Sequence, residues 1–166
     1  MKKAIFLDRD GTLIEDVKYL SSLNQIKIIP KMIEFCKRWQ SMGYELFVIT
    51  NQSGVARGYF DEEFVQETHK VLNKMLLEKN INVKAFYYCP HHPEFGTLGH
   101  YKKECECRKP NPGMLLSAAK EFNIDLKTSL MIGDSAHDVL AGKRAGCKSF
   151  LVKNIIENES FGGFDQ

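Results

Sequence analysis

The chain predicts an α/β fold of the doubly wound, Rossmann-like kind, a parallel sheet with helices on both faces. Three observations predict it. Short apolar runs alternate with segments of helical periodicity, the pattern of successive βα units. The runs are apolar on both faces, as strands covered by helices on each side must be. Several of them end in acidic or small polar residues, and in such a sheet these ends gather at one edge.

The first strand spans 3 to 7, with Ile5, Phe6 and Leu7 as its buried body, and Gly11 permits the turn that follows. A helix over 31 to 42 places Met32, Phe35, Cys36, Trp39 and Met42 on one face and stops at Gly43. The second strand, 45 to 50, runs into Thr50-Asn51-Gln52-Ser53-Gly54. Asp61 caps a long helix over 61 to 79 with Phe64, Val65, Thr68, Leu72, Met75 and Leu76 inward. The third strand is 84 to 88. A third helix is capped by Asn111, with Pro112 first and Met114, Leu115, Ala118 and Phe122 inward. The fourth strand, 129 to 132, ends in Gly133-Asp134, a short helix covers 135 to 145, and the fifth strand is 148 to 152.

At 166 residues with 43% hydrophobic content, the chain suffices for one core. One domain is expected over 1–154, with a loosely held tail over 155–166. The 23 basic and 21 acidic residues are mixed along the sequence, leaving no cationic stripe for a nucleic acid. No apolar run approaches the roughly 18 residues of a membrane span. A soluble, cytoplasmic monomer without nucleic-acid or membrane partners is expected.

Two aspartates one residue apart, Asp8 and Asp10, end the first strand. Side chains two apart on an extended chain point the same way, so both carboxylates can face one pocket. A cation between them would decide which is ionised, leaving one as nucleophile and the other as acid/base. A strand that merely ends in solvated polar residues competes with this reading on the spacing alone.

Five cysteines are an odd number, which argues against a disulfide framework. Cys36 and Cys147 read as small core residues. Cys89 with His91, and Cys105 with Cys107, form two short-spaced pairs that close a tetrahedral Cys3His site of the kind that structural Zn2+ favours. Such a tie explains how a long loop persists in a compact domain. His92 and His100 are weaker ligand candidates. Cys107 directly precedes Arg108 and Lys109, so zinc binding and the placement of Lys109 are linked.

Asp8-Arg9-Asp10-Gly11-Thr12-Leu13, then Thr50-Asn51, Lys109 and Gly133-Asp134 resemble, in order and at the expected strand ends, the four motifs of the haloacid dehalogenase superfamily. The resemblance implies a phosphatase that works through an aspartyl-phosphate, with catalytic residues Asp8 (nucleophile), Asp10 (acid/base), Thr50 and Lys109 (phosphoryl contacts). It implies catalytic Mg2+ held by Asp8, the backbone carbonyl of Asp10, and Asp134. Asn51 would support the pocket. Asp138 reads either as an outer magnesium-shell carboxylate or as a surface acid.

No large insertion follows the first or second motif, so no large cap domain is expected and the site should be open. Within the superfamily, Thr50 to Gly58, the stretch from Cys89 to Pro110, and Pro112 to Leu116 resemble the branch that removes the 7-phosphate of a heptose 1,7-bisphosphate for the bacterial lipopolysaccharide core. That implies a small phosphorylated sugar as substrate, contacted by Asp16, Val17, Lys18, Tyr19, Asn51, Gln52 and Ser53, with Arg108 on the remote phosphate. Ser135 departs from the pattern, since relatives often carry lysine there. Histidinol phosphate is the alternative substrate. A phospho-receiver module and a zinc-scaffolded binding domain are the alternatives from other classes.

Overall fold

The structure is a computed structural model that describes residues 1–97 and 99–158. Among the described residues, β1 (Ala4–Leu7), β2 (Glu45–Asn51), β3 (Val83–Cys89), β4 (Leu130–Gly133) and β5 (Lys148–Leu151) form a sheet in the order β3-β2-β1-β4-β5, with every pairing parallel. Five helices accompany it: α1 (Pro30–Ser41), α2 (Glu62–Leu77), α3 (Gly113–Phe122), α4 (Ala136–Ala145) and α5 (Val152–Glu157).

The alternation of an extended chain divides the strand residues between two apolar layers. Ile5, Leu7, Leu46 and Val48 pack with Phe35 and Trp39 of α1, Leu72 and Leu76 of α2, and Ile155 of α5. Ala4, Phe6, Phe47 and Ile49 pack on the opposite face with Met114, Leu115 and Ala118 of α3 and Ala141 of α4. Both faces are therefore covered, which is why the strands read as continuous apolar runs. Cys36 and Cys147 belong to these layers, and burial pushes both thiols up to about 12.

Helix starts follow local chemistry. Asp61 accepts a hydrogen bond from the backbone N–H of Phe64 at 2.8 Å and caps α2. The third helix begins one residue later than its sequence suggests, at Gly113, with Pro112 at the cap position. Asn111 does not cap it because its side-chain amide donates to the Cys105 carbonyl at 2.8 Å, bracing the cysteine loop instead. The expected tail also needs correcting over 155–157: α5 continues to Glu157, and Ile155 is buried against the core. The rest of that expectation lies largely outside the described residues. No helix among the described residues is long and apolar enough to cross a membrane.

The chain builds outward from β1 through β2 to β3, then returns to the other side of β1 for β4 and β5. Strand order thus reverses between β1 and β4, and the crevice beyond their carboxyl ends is where a doubly wound sheet holds its ligand. Asp8 follows β1 and Asp134 follows β4. The Asp8 N–H donates to the Ile132 carbonyl at 2.9 Å, which extends the strand pairing up to the first carboxylate.

Candidate active site

Two glycines make room for the carboxylates. Gly11 has φ +81°, a conformation that side chains disfavour, and a Cβ there would lie 2.2 Å from Asp134 Oδ2. A Cβ on Gly133 would lie 2.2 Å from the Cβ of Asp138. With both positions bare, Asp8, Asp134 and Asp138 each bring an oxygen within 4.8 Å of the others.

Lys109 reaches into this cluster from the end of the cysteine loop. Its buried ammonium donates to Asp8 Oδ1 at 2.8 Å and to the Ile49 carbonyl at 2.7 Å, and lies 2.6 Å from Asp138 Oδ1. Asn51 fixes the lysine backbone with a matched pair: Lys109 N–H to Asn51 Oδ1 at 3.0 Å, and Asn51 Nδ2 to the Lys109 carbonyl at 3.1 Å. Asp138 is correspondingly no surface acid. It is 2% exposed, and its second oxygen accepts from the Ser135 N–H and hydroxyl at the start of α4.

The ammonium pairs with two of the three clustered carboxylates, Asp8 and Asp138, and the charge balance registers the excess of negative charge. Burial raises Asp8 to about 8 despite the attraction of Lys109, and the Asp138 and Asp134 charges add to the rise. Asp134 is raised as well, first by burial. Burial works against the Lys109 ammonium, but Asp8 and Asp138 outweigh it and hold its pKa above the ordinary lysine value. Hard oxygen donors carrying excess negative charge are the donor set that a divalent cation such as Mg2+ fits.

Asp10 sits beside this cluster with both oxygens engaged. Arg9 Nε donates to Oδ1 at 3.2 Å, Arg9 Nη2 to Oδ2 at 3.1 Å, and Gln52 Nε2 to Oδ2 at 3.0 Å. Gln52 Nε2 also reaches the Thr50 hydroxyl oxygen at 2.8 Å. Asp10, Asp16, Lys18, Tyr19, Asn51, Gln52 and Ser53 converge on one cavity of about 270 Å3. Val17 does not line it and is exposed. Arg108 lines a separate cavity of about 660 Å3, together with Lys103, Lys109 and His137.

The cysteine loop closes on a second donor cluster. The three sulfurs of Cys89, Cys105 and Cys107 are separated by 3.0 to 3.5 Å, and His91 Nδ1 lies 3.5 Å from Cys89 Sγ and 3.4 Å from Cys107 Sγ. A tetrahedral site with zinc–sulfur bonds of about 2.3 Å has edges of about 3.8 Å, so this set fits zinc with little adjustment. His92 is turned away: its Nδ1 accepts the backbone N–H groups of Glu94 and Phe95. The loop is tied down elsewhere as well, by Tyr101 donating to Glu62 at 2.6 Å and by the Thr97 N–H to the Ala56 carbonyl at 2.9 Å.

Residues 106–159 match a family model described as HAD-hydrolase-like. The chain is 48% identical over 152 residues to the D-glycero-beta-D-manno-heptose-1,7-bisphosphate 7-phosphatase of Pasteurella multocida, covering 92% of this chain and 82% of the relative. The chain belongs to the haloacid dehalogenase-like hydrolases. A relative from Photorhabdus laumondii subsp. laumondii, named for the alpha anomer of the same bisphosphate, is 41% identical over 152 residues, 91% of this chain and 82% of the relative. The crystal structure of a D,D-heptose 1,7-bisphosphate phosphatase from B. bronchiseptica, complexed with magnesium and phosphate, superimposes with a TM-score of 0.79 at 30% identity, covering 97% of this chain and 89% of that one.

The sequence points to the carboxylates, Lys109 and the tetrad of three cysteines and one histidine that the structure brings together, but not to two further features. Arg9 is one: a guanidinium only 2% exposed between two aspartates, whose position inside the first motif is the available signal. The grip of Asn51 on the Lys109 backbone is the other, and no local pattern announces it.

Proposed function

We propose that this hydrolase is a magnesium-dependent phosphatase that removes the 7-phosphate of D-glycero-D-manno-heptose 1,7-bisphosphate, in building the heptose of the lipopolysaccharide core. The observation that carries the reading is Lys109 Nζ at 2.8 Å from Asp8 within a three-carboxylate cluster at the sheet's switch point. The names of the relatives described above favour heptose bisphosphate over histidinol phosphate.

Asp8 attacks phosphorus, forming a P–O bond to its carboxylate as the bond to the sugar oxygen breaks. Asp10 gives its proton to that departing alkoxide. In the second half, Asp10 takes a proton from water as the water oxygen bonds to phosphorus, and Asp8 leaves as carboxylate with inorganic phosphate released. The Thr50 hydroxyl and Lys109 ammonium face the charge on the transferring group, a placement whose loss costs about 10²–10³-fold in rate for a single donor. Asp8, the Asp10 carbonyl and Asp134 would hold Mg2+, which supplies neutralising charge between phosphate and carboxylate. Asp16 to Tyr19 and Asn51 to Ser53 would contact the sugar, and Arg108 the remaining phosphate.

Cys89, His91, Cys105 and Cys107 would hold a structural Zn2+, a closed shell that fixes Arg108 and Lys109. Phosphate release from heptose 1,7-bisphosphate in both anomers and from histidinol phosphate, side by side with magnesium, tests the substrate. Equal or reversed preference overturns the sugar assignment.

A further inference from the structure

Arg9 has a second partner that the reaction scheme does not use. Its Nε and Nη2 form the edge that grips Asp10, while Nη1, on the far side of the fork, lies 3.2 Å from Nε2 of His69, sixty positions away on α2. A guanidinium has donors only, so His69 Nε2 accepts, and the ring proton is placed on Nδ1. The ring is 6% exposed and stacked on Phe86 of β3, with centroids 4.9 Å apart and planes 23° apart. It is therefore held on its faces by packing and at its edge by Arg9.

We propose that His69 is a positioning residue for Asp10, acting through Arg9: it accepts from Nη1, fixes the plane of the guanidinium, and so fixes the carboxylate that the opposite edge grips. The proposal rests on the reading of Asp10 as the acid/base. A planar fork transmits orientation, because an in-plane rotation that breaks one edge moves the other. Losing the acceptor leaves a buried charged donor unpaired, and Arg9 must shift to recover a partner. Asp10 then moves with it. Gln52, which holds Asp10 Oδ2 independently at 3.0 Å, limits the damage. Burial and the Arg9 charge keep His69 neutral, with its pKa at about 3, so it can act as an acceptor at any working pH.

The test compares His69→Phe, which keeps an aromatic ring against Phe86 but has no acceptor, with His69→Gln, whose amide oxygen can occupy the Nε2 position. With heptose 1,7-bisphosphate and magnesium, His69→Phe is expected to lower kcat about tenfold with KM within twofold of the parent. His69→Gln is expected to restore kcat to within about threefold. A purely structural histidine would give the opposite ranking, with Phe tolerated and Gln impaired, and either that ranking or unchanged kcat in His69→Phe overturns the proposal. Should His69→Phe not fold, His69→Gln decides alone: kcat near the parent supports the proposal, and a tenfold loss with an unchanged melting temperature refutes it. Asp10→Asn serves as reference. If it stays fully active, the acid/base reading has failed; if it is inactive while His69→Phe is not, only the positioning role has.

Discussion

The Lys109 ammonium lies 2.6 Å from Asp138 Oδ1, while the other oxygen of that carboxylate accepts from the Ser135 N–H and hydroxyl at the start of α4. One buried carboxylate thereby ties Lys109 to the helix that follows Asp134. Both partners are about 3% exposed, so removing the Asp138 charge leaves the ammonium with Asp8 as its one remaining ion partner in a dry site. Asp138→Asn is expected to lower the unfolding free energy by about 1–3 kcal/mol and kcat together, measured by urea titration and phosphate release. Unchanged stability would mean that the pair is solvated.

Gly133 gives a steric counterpart. A methyl group there overlaps the Asp138 side chain, with its Cβ at 2.2 Å, and must displace the lysine's anchor. Gly133→Ala is expected to cost about 1–3 kcal/mol, with a loss of kcat far larger than that of a distant control. Gly99→Ala is that control, since nothing lies within 4 Å of the added methyl group. Equal activity in the two variants would contradict the packing argument.

Zinc removal should act on catalysis through position rather than chemistry. The purified protein is expected to carry one zinc per chain by elemental analysis. Cys107→Ser should lose it and reduce kcat about 10–100-fold, the range for perturbing the support of a metal-linked site. Its far-UV circular dichroism should remain that of an α/β fold at low temperature, with a lower melting temperature. Full activity in zinc-free protein would separate the tetrad from Lys109.

His69 sets a pH dependence of stability. Its pKa falls from 6.5 to about 3 on folding, first through burial and then through Arg9, so the unfolded chain binds the extra proton. Stability is therefore unaffected above pH 6.5 and declines as pH drops below it, by about 2 kcal/mol at pH 5 for this one group. The difference between the parent and His69→Gln, from urea titrations at pH 7.5 and pH 5, isolates the contribution. A variant with the same pH slope as the parent would mean that His69 is protonated in the folded chain.

What the sequence reveals and hides follows from the range of the interactions. Asp8 and Asp134 are legible because a parallel sheet brings strand ends to one edge, so position along the chain implies position in space. The tetrad is legible because Cys89 with His91 and Cys105 with Cys107 stand at the short spacings that a tetrahedral metal site uses. The partnership of Arg9 with His69, of Lys109 with Asp138, and of Asn51 with the Lys109 backbone leave no periodicity or spacing to detect. They arise only when separate elements pack. The start of α3 is hidden for a related reason: Asn111 has the chemistry of a cap, but the Cys105 carbonyl claims its amide. Ile155 is buried by α5, whose single apolar turn resembles a tail in sequence.

The central claim is that Asp8 carries the phosphoryl group, and rapid quenching tests it most directly. Protein mixed with heptose 1,7-bisphosphate and magnesium, quenched within a turnover and treated with borohydride, should yield the peptide containing residue 8 with Asp8 reduced to homoserine. Asp8→Asn should give neither the reduced peptide nor phosphate release while keeping its fold. Reduction at another carboxylate, or steady turnover by Asp8→Asn, would contradict the account.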